Sequence, residues 1–548
     1  MSSKFSYSEP HICQCLTRLS TLRSDDVVTI TGNRQKTGKQ FADEVLCLAR
    51  GLLQLGVATG DIVAISAFNS DMYMEWLLAI AFVGGIAAPL NYRWSFEEAR
   101  LAMLVVRPVM LVTDESCHHW YSNFQKDDIP SLRWHVSLDS PSSDFMKMWN
   151  VLTTEMLKKN SVSSQPLNHC WAHEGAVIIC FTSGTTGRPK GVTLSHAALI
   201  IQSLSKIAIV GYGLFAYCTI VPHWWSFVSH DHANALEAIE RHKVTSFITV
   251  PAIMAGIISI IRQKETWKGM ETVNKILNGG GGLSIELIKD ATLFFPKAKL
   301  LSAYGMTETC SSLTFMTIYD PTMKAYSQHH QTVANIKYTS VHQPQGVCVG
   351  KPAPHVELKI CADGSSPVGR ILSRGPHLML RYWGEIPAKA AHSSNESWFD
   401  TGDVGSIDEY GNVWLIGRAK GQIKSGGENI YPEEVEGILL QHPGIVGTVI
   451  VGVPDAHLTE MVVACVELRE HWHWSQGTFE HSSKNKVPVL SGAILRRYCR
   501  EKNLTGFKIP KVFILWTEPF PATTTGKIKR DQVRREVISH LQSLHSSL

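Results

Sequence analysis

Hydrophobic positions along the chain follow two alternating patterns. Short apolar runs rich in β-branched residues, DIVAISAF at 61–68, VMLVTDE at 109–115, GAVIICFTSG at 175–184 and VTSFITVP at 244–251, read as buried strands. Longer stretches with helical spacing follow two of them, MYMEWLLAIAFVGG at 72–85 and AIMAGIISIIRQ at 252–263. Strand followed by helix, repeated, predicts βα units, mainly parallel sheets and an α/β fold. The longest apolar stretch, Trp76 to Leu90, contains Gly84, Gly85 and Pro89 and is shorter than the roughly 20 residues a bilayer demands, so it predicts a buried helix and a turn. After Gly417 the pattern changes: GRAKGQIKSGGENIYPEEVE is a glycine-rich turn followed by Pro432 and acids that open a helix. A smaller domain is expected to begin there, dividing the chain into 1–419 and 420–548.

Composition narrows the picture without deciding it. The 548 residues are 44% hydrophobic and 18% charged, which suits a globular protein of several domain-sized units. A net charge of +4, with no long basic block, gives no electrostatic reason to expect nucleic acid. Twelve scattered cysteines contain no CxxC pair and suit free thiols better than disulfides or structural zinc. The first residues, MSSKFSYSEPHICQCLTRLSTLR, are rich in Ser and basic residues and poor in acids, as in an organelle transit segment and equally in a frayed terminus. The last three, Ser546, Ser547 and Leu548, resemble the SKL-type peroxisomal address with Ser at its centre. Peroxisome, chloroplast or both is the expected location.

The chemistry is concentrated in a few polar segments. Behind the strand AVIIC stand Thr182, Ser183, Gly184, Thr185, Thr186 and Gly187, with Lys190 close by. Glycines let backbone amides approach an anion, hydroxyls add donors and the lysine adds charge, so the loop suits phosphate. It lacks the GxxxxGK[ST] spacing of a Walker A loop. On composition alone, a solvated Ser/Thr/Gly loop is an equal reading.

The complete string FTSGTTGRPKGV resembles the signature loop of the adenylate-forming superfamily, and further segments match that family in order. SAYGMTE at 302–308 resembles its YGxTE motif, which implies that Tyr304 packs on adenine, Thr307 meets the α-phosphate and Glu308 holds Mg²⁺. NGGGGLS, with Gly279, Gly280 and Gly281, matches a glycine-rich strand end beside adenine and the acyl group. TGD at 401–403 implies that Asp403 takes the ribose hydroxyls, with Arg418 as its partner. Lys420 falls at the family's hinge, Ser425, Gly426 and Gly427 in the loop that lines a pantetheine tunnel, and Lys527, in TTTGKIKR, at the lysine of adenylation. The resemblance implies a large N-terminal domain of layered βα sheets, a small α+β C-terminal domain that rotates about the hinge, and ATP, Mg²⁺ and the co-substrate CoA as ligands. Lys527, Lys190, Thr307 and Glu308 would carry catalysis. Small molecules are the expected partners, with no nucleic acid and no membrane span.

Within the superfamily, LNGGGGLSIELIKD and LLSAYGMTETCSSLTF resemble most closely the plant 2-succinylbenzoate:CoA ligases of phylloquinone synthesis. A CoA ligase for another aromatic or fatty acid, or a non-catalytic nucleotide-binding relative, are the alternatives. The last is motivated by residues 214–235, LFAYCTIVPHWWSFVSHDHANA, where the family carries a strand and a PLxHxGG motif. One nucleotide string can be written whose codons give these residues and whose neighbouring frame gives VYLHTAPLCHIGGLSSAMTMLM. The departure therefore reads as a shifted frame, with about a strand and its linker missing before Leu236. His223, His230 and His232 are accordingly a stray polar cluster, not a metal site.

Overall fold

The computed structural model describes residues 10–117, 120, 128–139, 151–159, 168–183, 189–211, 232–264, 266–283, 285–323, 346–362, 366–384, 398–425, 428–455, 458–475, 488–502, 504, 506–523 and 528–546. Residues 212–231, which hold most of the departing segment with His223 and His230, lie outside this set, and the side chain of His232 is not described either.

Each of the six apolar runs forms the element its spacing predicts: strands Ile62–Ser66, Met110–Thr113, Ala176–Ser183 and Ser246–Thr249, and helices Asp71–Phe82 and Pro251–Ile261. Trp76 to Leu90 is the end of a helix, a turn at Gly84 with φ +76°, and a further strand, Ile86–Pro89. Trp76, Leu78 and Ile80 are fully buried there. The stretch is apolar all round because it lies inside a domain. Among the described residues no helix is long and apolar enough to cross a membrane.

Two large sheets make up the chain before Lys420. The first has eight strands, with Ile86–Pro89, Ile62–Ser66, Met110–Thr113, Trp134–Ser137 and Leu152–Thr153 parallel and the hairpin Ala176–Ser183/Pro189–Ser195 antiparallel at one side. The second has nine: Ser246–Thr249, Lys275–Asn278 and Lys299–Met306 are parallel, and six antiparallel strands continue it. The expectation of mainly parallel sheets therefore holds for the first sheet, and in the second only for the three strands at one edge. Where two runs are joined by a tight turn, as the single 3-10 turn Thr307–Thr309 joins Met306 to Ser311, no crossover helix fits the connection and the strands must pair antiparallel.

Residues after Lys420 form a five-stranded sheet of their own, with helices Pro432–Leu439, Gly492–Glu501 and Arg530–Ser546. Its apolar side chains, from Ile423 to Leu541, pack in two clusters drawn entirely from this part of the chain. The fold is thus α/β with a separate, smaller C-terminal domain. None of the eleven described cysteines forms a disulfide.

A stack of aromatic side chains ties the N-terminal segment down. The His11 ring lies 4.4 Å from that of His169 and 4.0 Å from that of His196, with Trp171 edge-on at 5.0 Å. The backbone N–H groups of Cys13 and Ile12 donate to Nδ1 of His11 and of His196, at 3.1 and 3.2 Å. Both rings are therefore held in the neutral form with the proton on Nε2.

Candidate active site

The loop expected to bind phosphate is flanked by the two strands of a hairpin. Thr182 pairs with Lys190 and Phe181 with Gly191, so the two strands bring Ser183 and Pro189, which flank residues 184–188, side by side. Gly184, Thr185, Thr186 and Gly187 lie outside the described residues, and of Ser183 only the backbone is described. Lys190 emerges exposed on the second strand, its Nζ 5.0 Å from the centre of the Tyr382 ring. That ring is carried by a two-residue strand, Arg381–Tyr382, which pairs with Thr193 and Val192. The Tyr382 hydroxyl donates to Oε1 of Glu308 at 2.9 Å, and the Met379 N–H donates to the Glu308 carbonyl at 2.8 Å. One aromatic side chain therefore bridges the phosphate-loop lysine and the YGMTE glutamate.

Tyr304, Thr307 and Glu308 lie at the turn where Lys299–Met306 ends and Ser311–Tyr319 begins. Gly305 is obligatory there: a Cβ would stand 1.7 Å from the Ser311 carbonyl oxygen. Glu308 is buried, and among the described residues no donor reaches its Oε2. A single buried carboxylate with a free oxygen fits Mg²⁺, which is commonly held by one or two carboxylates and the phosphates of its nucleotide. Beside this turn, Asn278 stands opposite Ser302 and donates through Nδ2 to the Gly281 carbonyl at 2.8 Å. This contact organises the turn Gly279, Gly280, Gly281, in which Gly280 has φ +73°.

Asp403 and Arg418 are directly opposed on antiparallel strands, and Nε of Arg418 meets the buried Asp403 carboxylate at 2.7 Å. The Tyr304 hydroxyl donates to the same carboxylate, and burial followed by that negative charge pushes its pKa well above the usual tyrosine value. The predicted adenine aromatic and the predicted ribose acid thus share one hydrogen bond.

Other predicted residues stand apart from this cluster. Lys420 is exposed in the turn Ala419–Gly421, two residues beyond Arg418. Ser425 is buried and pairs with Glu428; Gly426 and Gly427 lie outside the described residues. Lys527 is also outside them, in a loop closed by the bridge of Ala522 with Ile528 and the Lys529 N–H to Pro521 carbonyl bond at 2.7 Å. Arg530 anchors the downstream side of that loop by donating to Glu436, Glu433 and the Ile450 carbonyl. Tyr382 escapes sequence reasoning because a two-residue strand leaves no periodic signal.

The AMP-binding enzyme family matches residues 18–233 and 218–383, and the AMP-binding enzyme C-terminal domain matches residues 434–527. The chain belongs to the AMP-binding enzymes. The 2-succinylbenzoate–CoA ligase, chloroplastic/peroxisomal, of Arabidopsis thaliana is 52% identical, across 99% of this chain and 100% of its own length. Among solved structures, the o-succinylbenzoate CoA synthetase of Bacillus subtilis in complex with its acyl-adenylate intermediate has a TM-score of 0.70 at 23% identity, covering 96% of this chain and 98% of that one. An anthranilate CoA ligase in complex with anthranoyl-AMP reaches a TM-score of 0.75 at 20% identity, with 98% of each chain covered. The two pieces of the family match overlap at 218–233, inside the departing segment. The Arabidopsis alignment runs over 574 positions against a chain of 548 residues, so it opens gaps in this chain.

Proposed function

We propose that the chain is an AMP-forming acid–thiol ligase that converts 2-succinylbenzoate to its CoA thioester, in phylloquinone or menaquinone synthesis. The observation that carries the substrate is the 52% identity over the full length of a relative named for that reaction. The site geometry agrees in kind, since a hydroxyl and glycine loop, a buried carboxylate and a ribose-type aspartate suit MgATP.

In the first half-reaction the substrate carboxylate attacks the α-phosphate of ATP, forming an acyl-adenylate and releasing pyrophosphate. Lys190 and Lys527 supply positive charge where negative charge develops, and Thr307 donates to the α-phosphate. Glu308 would hold Mg²⁺, which would supply charge to neutralise phosphate oxygens. Thr182, Ser183 and the loop 184–187 cradle the phosphates, Gly279 to Gly281 and Tyr304 flank adenine, and Asp403 with Arg418 holds the ribose. In the second half-reaction, residues 420–548 turn about Lys420, which withdraws Lys527 and brings Ser425, Gly426 and Gly427 to the site. The CoA thiol then attacks the adenylate and AMP leaves. The relative's name points to chloroplast and peroxisome as the working compartments.

A second reading, a nucleotide-binding relative without turnover, is favoured by the break in the family match at 218–233. Purified protein given MgATP, CoA and a panel of carboxylic acids decides between them. Pyrophosphate release with 2-succinylbenzoate is the expected result. The absence of release with every acid supports the second reading, and release confined to fatty acids overturns the substrate.

A further inference from the structure

Helix His196–Val210, capped by Ser195, buries the wrong side chains for a helix that serves only packing. Gln202, Ser203, Ser205 and Lys206 are buried, while Leu204 is 45% exposed. Gln202 donates to the carbonyls of Thr309 and Ser312, at 3.0 and 2.9 Å, which fixes the helix against the turn after Glu308. Lys206 points into the same place: its Nζ donates to Oγ of Ser311 at 3.0 Å. Ser311 lies opposite Met306, so the ammonium group sits beside the turn that carries Thr307 and Glu308.

Among the described residues no carboxylate accompanies this cation. The titratable groups facing it are Cys310 and His355. Burial pushes the Cys310 thiol up to about 12, so it stays protonated, and burial lowers the His355 pKa, so it stays neutral. Burial also lowers Lys206 itself, to about 8. Three neighbouring polar atoms are buried without a partner among the described residues: Oε1 of Gln202, Oγ of Ser205 and Nε2 of His355. An unpaired buried cation is costly, and so are orphaned polar atoms. A group of this kind persists where a ligand supplies the missing charge.

We propose that Lys206 is the specificity group for this reaction, binding the second carboxylate of a dicarboxylic substrate while the first is activated beside Thr307. The inference rests on the ligase reading above and extends it. The substrate 2-succinylbenzoate carries two carboxylates, and activation of its side-chain acid leaves the ring carboxylate in need of a partner. A monoacid of the same shape leaves the buried ammonium unpaired, and sites built for a polar contact discriminate strongly against substrates that lack it.

The test compares 2-succinylbenzoate with 4-oxo-4-phenylbutanoate, which keeps the keto-acid arm and lacks the ring carboxylate, in wild type and in Lys206→Met. Wild type is expected to prefer the diacid by about 100-fold or more in kcat/KM, and the variant to reduce that preference to within about fivefold. The KM of wild type for the diacid should rise above pH 8 as free Lys206 loses its proton, and this rise should vanish in the variant. A purely structural lysine moves neither the preference nor the pH profile. Equal losses on both acids, or the same pH profile in both proteins, overturn the proposal. If Lys206→Met does not fold, wild type alone decides, and a diacid preference below about tenfold counts against the lysine. If wild type releases no pyrophosphate with 2-succinylbenzoate, the ligase reading itself fails and the proposal falls with it.

Discussion

Tyr382 shows how one residue can couple two motifs that are far apart in sequence. Its ring lies against Lys190 and its hydroxyl holds Glu308. Tyr382→Phe keeps the ring and removes the hydrogen bond to a carboxylate, worth about 1.5–3 kcal/mol in similar settings. The expected outcome is a fall of about tenfold or more in kcat/KM for MgATP, with a drop of a few degrees in the melting temperature. Pyrophosphate-release kinetics check it, and unaltered kinetics would show that Glu308 needs no help from Tyr382. The motif residues themselves were legible in sequence because glycine, hydroxyl and acid positions have chemical reasons to recur at fixed spacing. Tyr382 and Lys206 were not. The first sits on a strand too short to be periodic, and the second reads as one more polar position on an amphipathic helix until burial reveals otherwise.

At the scale of elements, the histidine stack joins the N-terminal segment, the loop before strand Ala176–Ser183 and the start of helix His196–Val210. Burial, with each ring repelling a second charge nearby, lowers His11 to about 4 and His196 to about 3. Above pH 6.5 both are neutral whether the chain is folded or not, and they cost nothing. As pH falls below 6.5 the unfolded chain takes up protons that the folded stack refuses until near pH 4. Stability therefore declines over that window by about 1.4 kcal/mol per pH unit for each histidine. His196→Asn keeps an acceptor for the Ile12 N–H and cannot titrate in this range. Urea unfolding at pH 7, 6 and 5 should show a shallower decline for the variant than for wild type, and parallel declines would remove the stack as the cause. Elements whose pattern was strong, such as Asp71–Phe82, were readable from the chain alone. The stack was not, because its three rings come from distant points and only the folded chain brings them together.

For the molecule as a whole, the interval 214–235 matters most. Sequence reasoning could find it because family-like wording stops at Leu214 and resumes at Leu236, and the family match divides at the same place. The transcript is expected to read PLxHxGG across this interval. Sequencing cDNA checks it, and a transcript that confirms the present reading frame would remove the frame-shift explanation. Sheet order was harder to foresee than the elements, since hairpin or crossover is decided by turns such as that at Gly305, where a single backbone approach dictates the pairing.

The hairpin carrying Asp403 and Arg418 belongs to the nine-stranded sheet, and Lys420 follows only two residues beyond its end. With the proposed axle at that point, the proposed grip on the sugar would stay on the stationary side while everything downstream swings. The nucleotide need not be let go and recaptured between the two half-reactions. On that proposal the same clasp would serve ATP on entry, the mixed anhydride midway and AMP at the end, so one cycle would reorganise the machinery around a passenger that never changes seats.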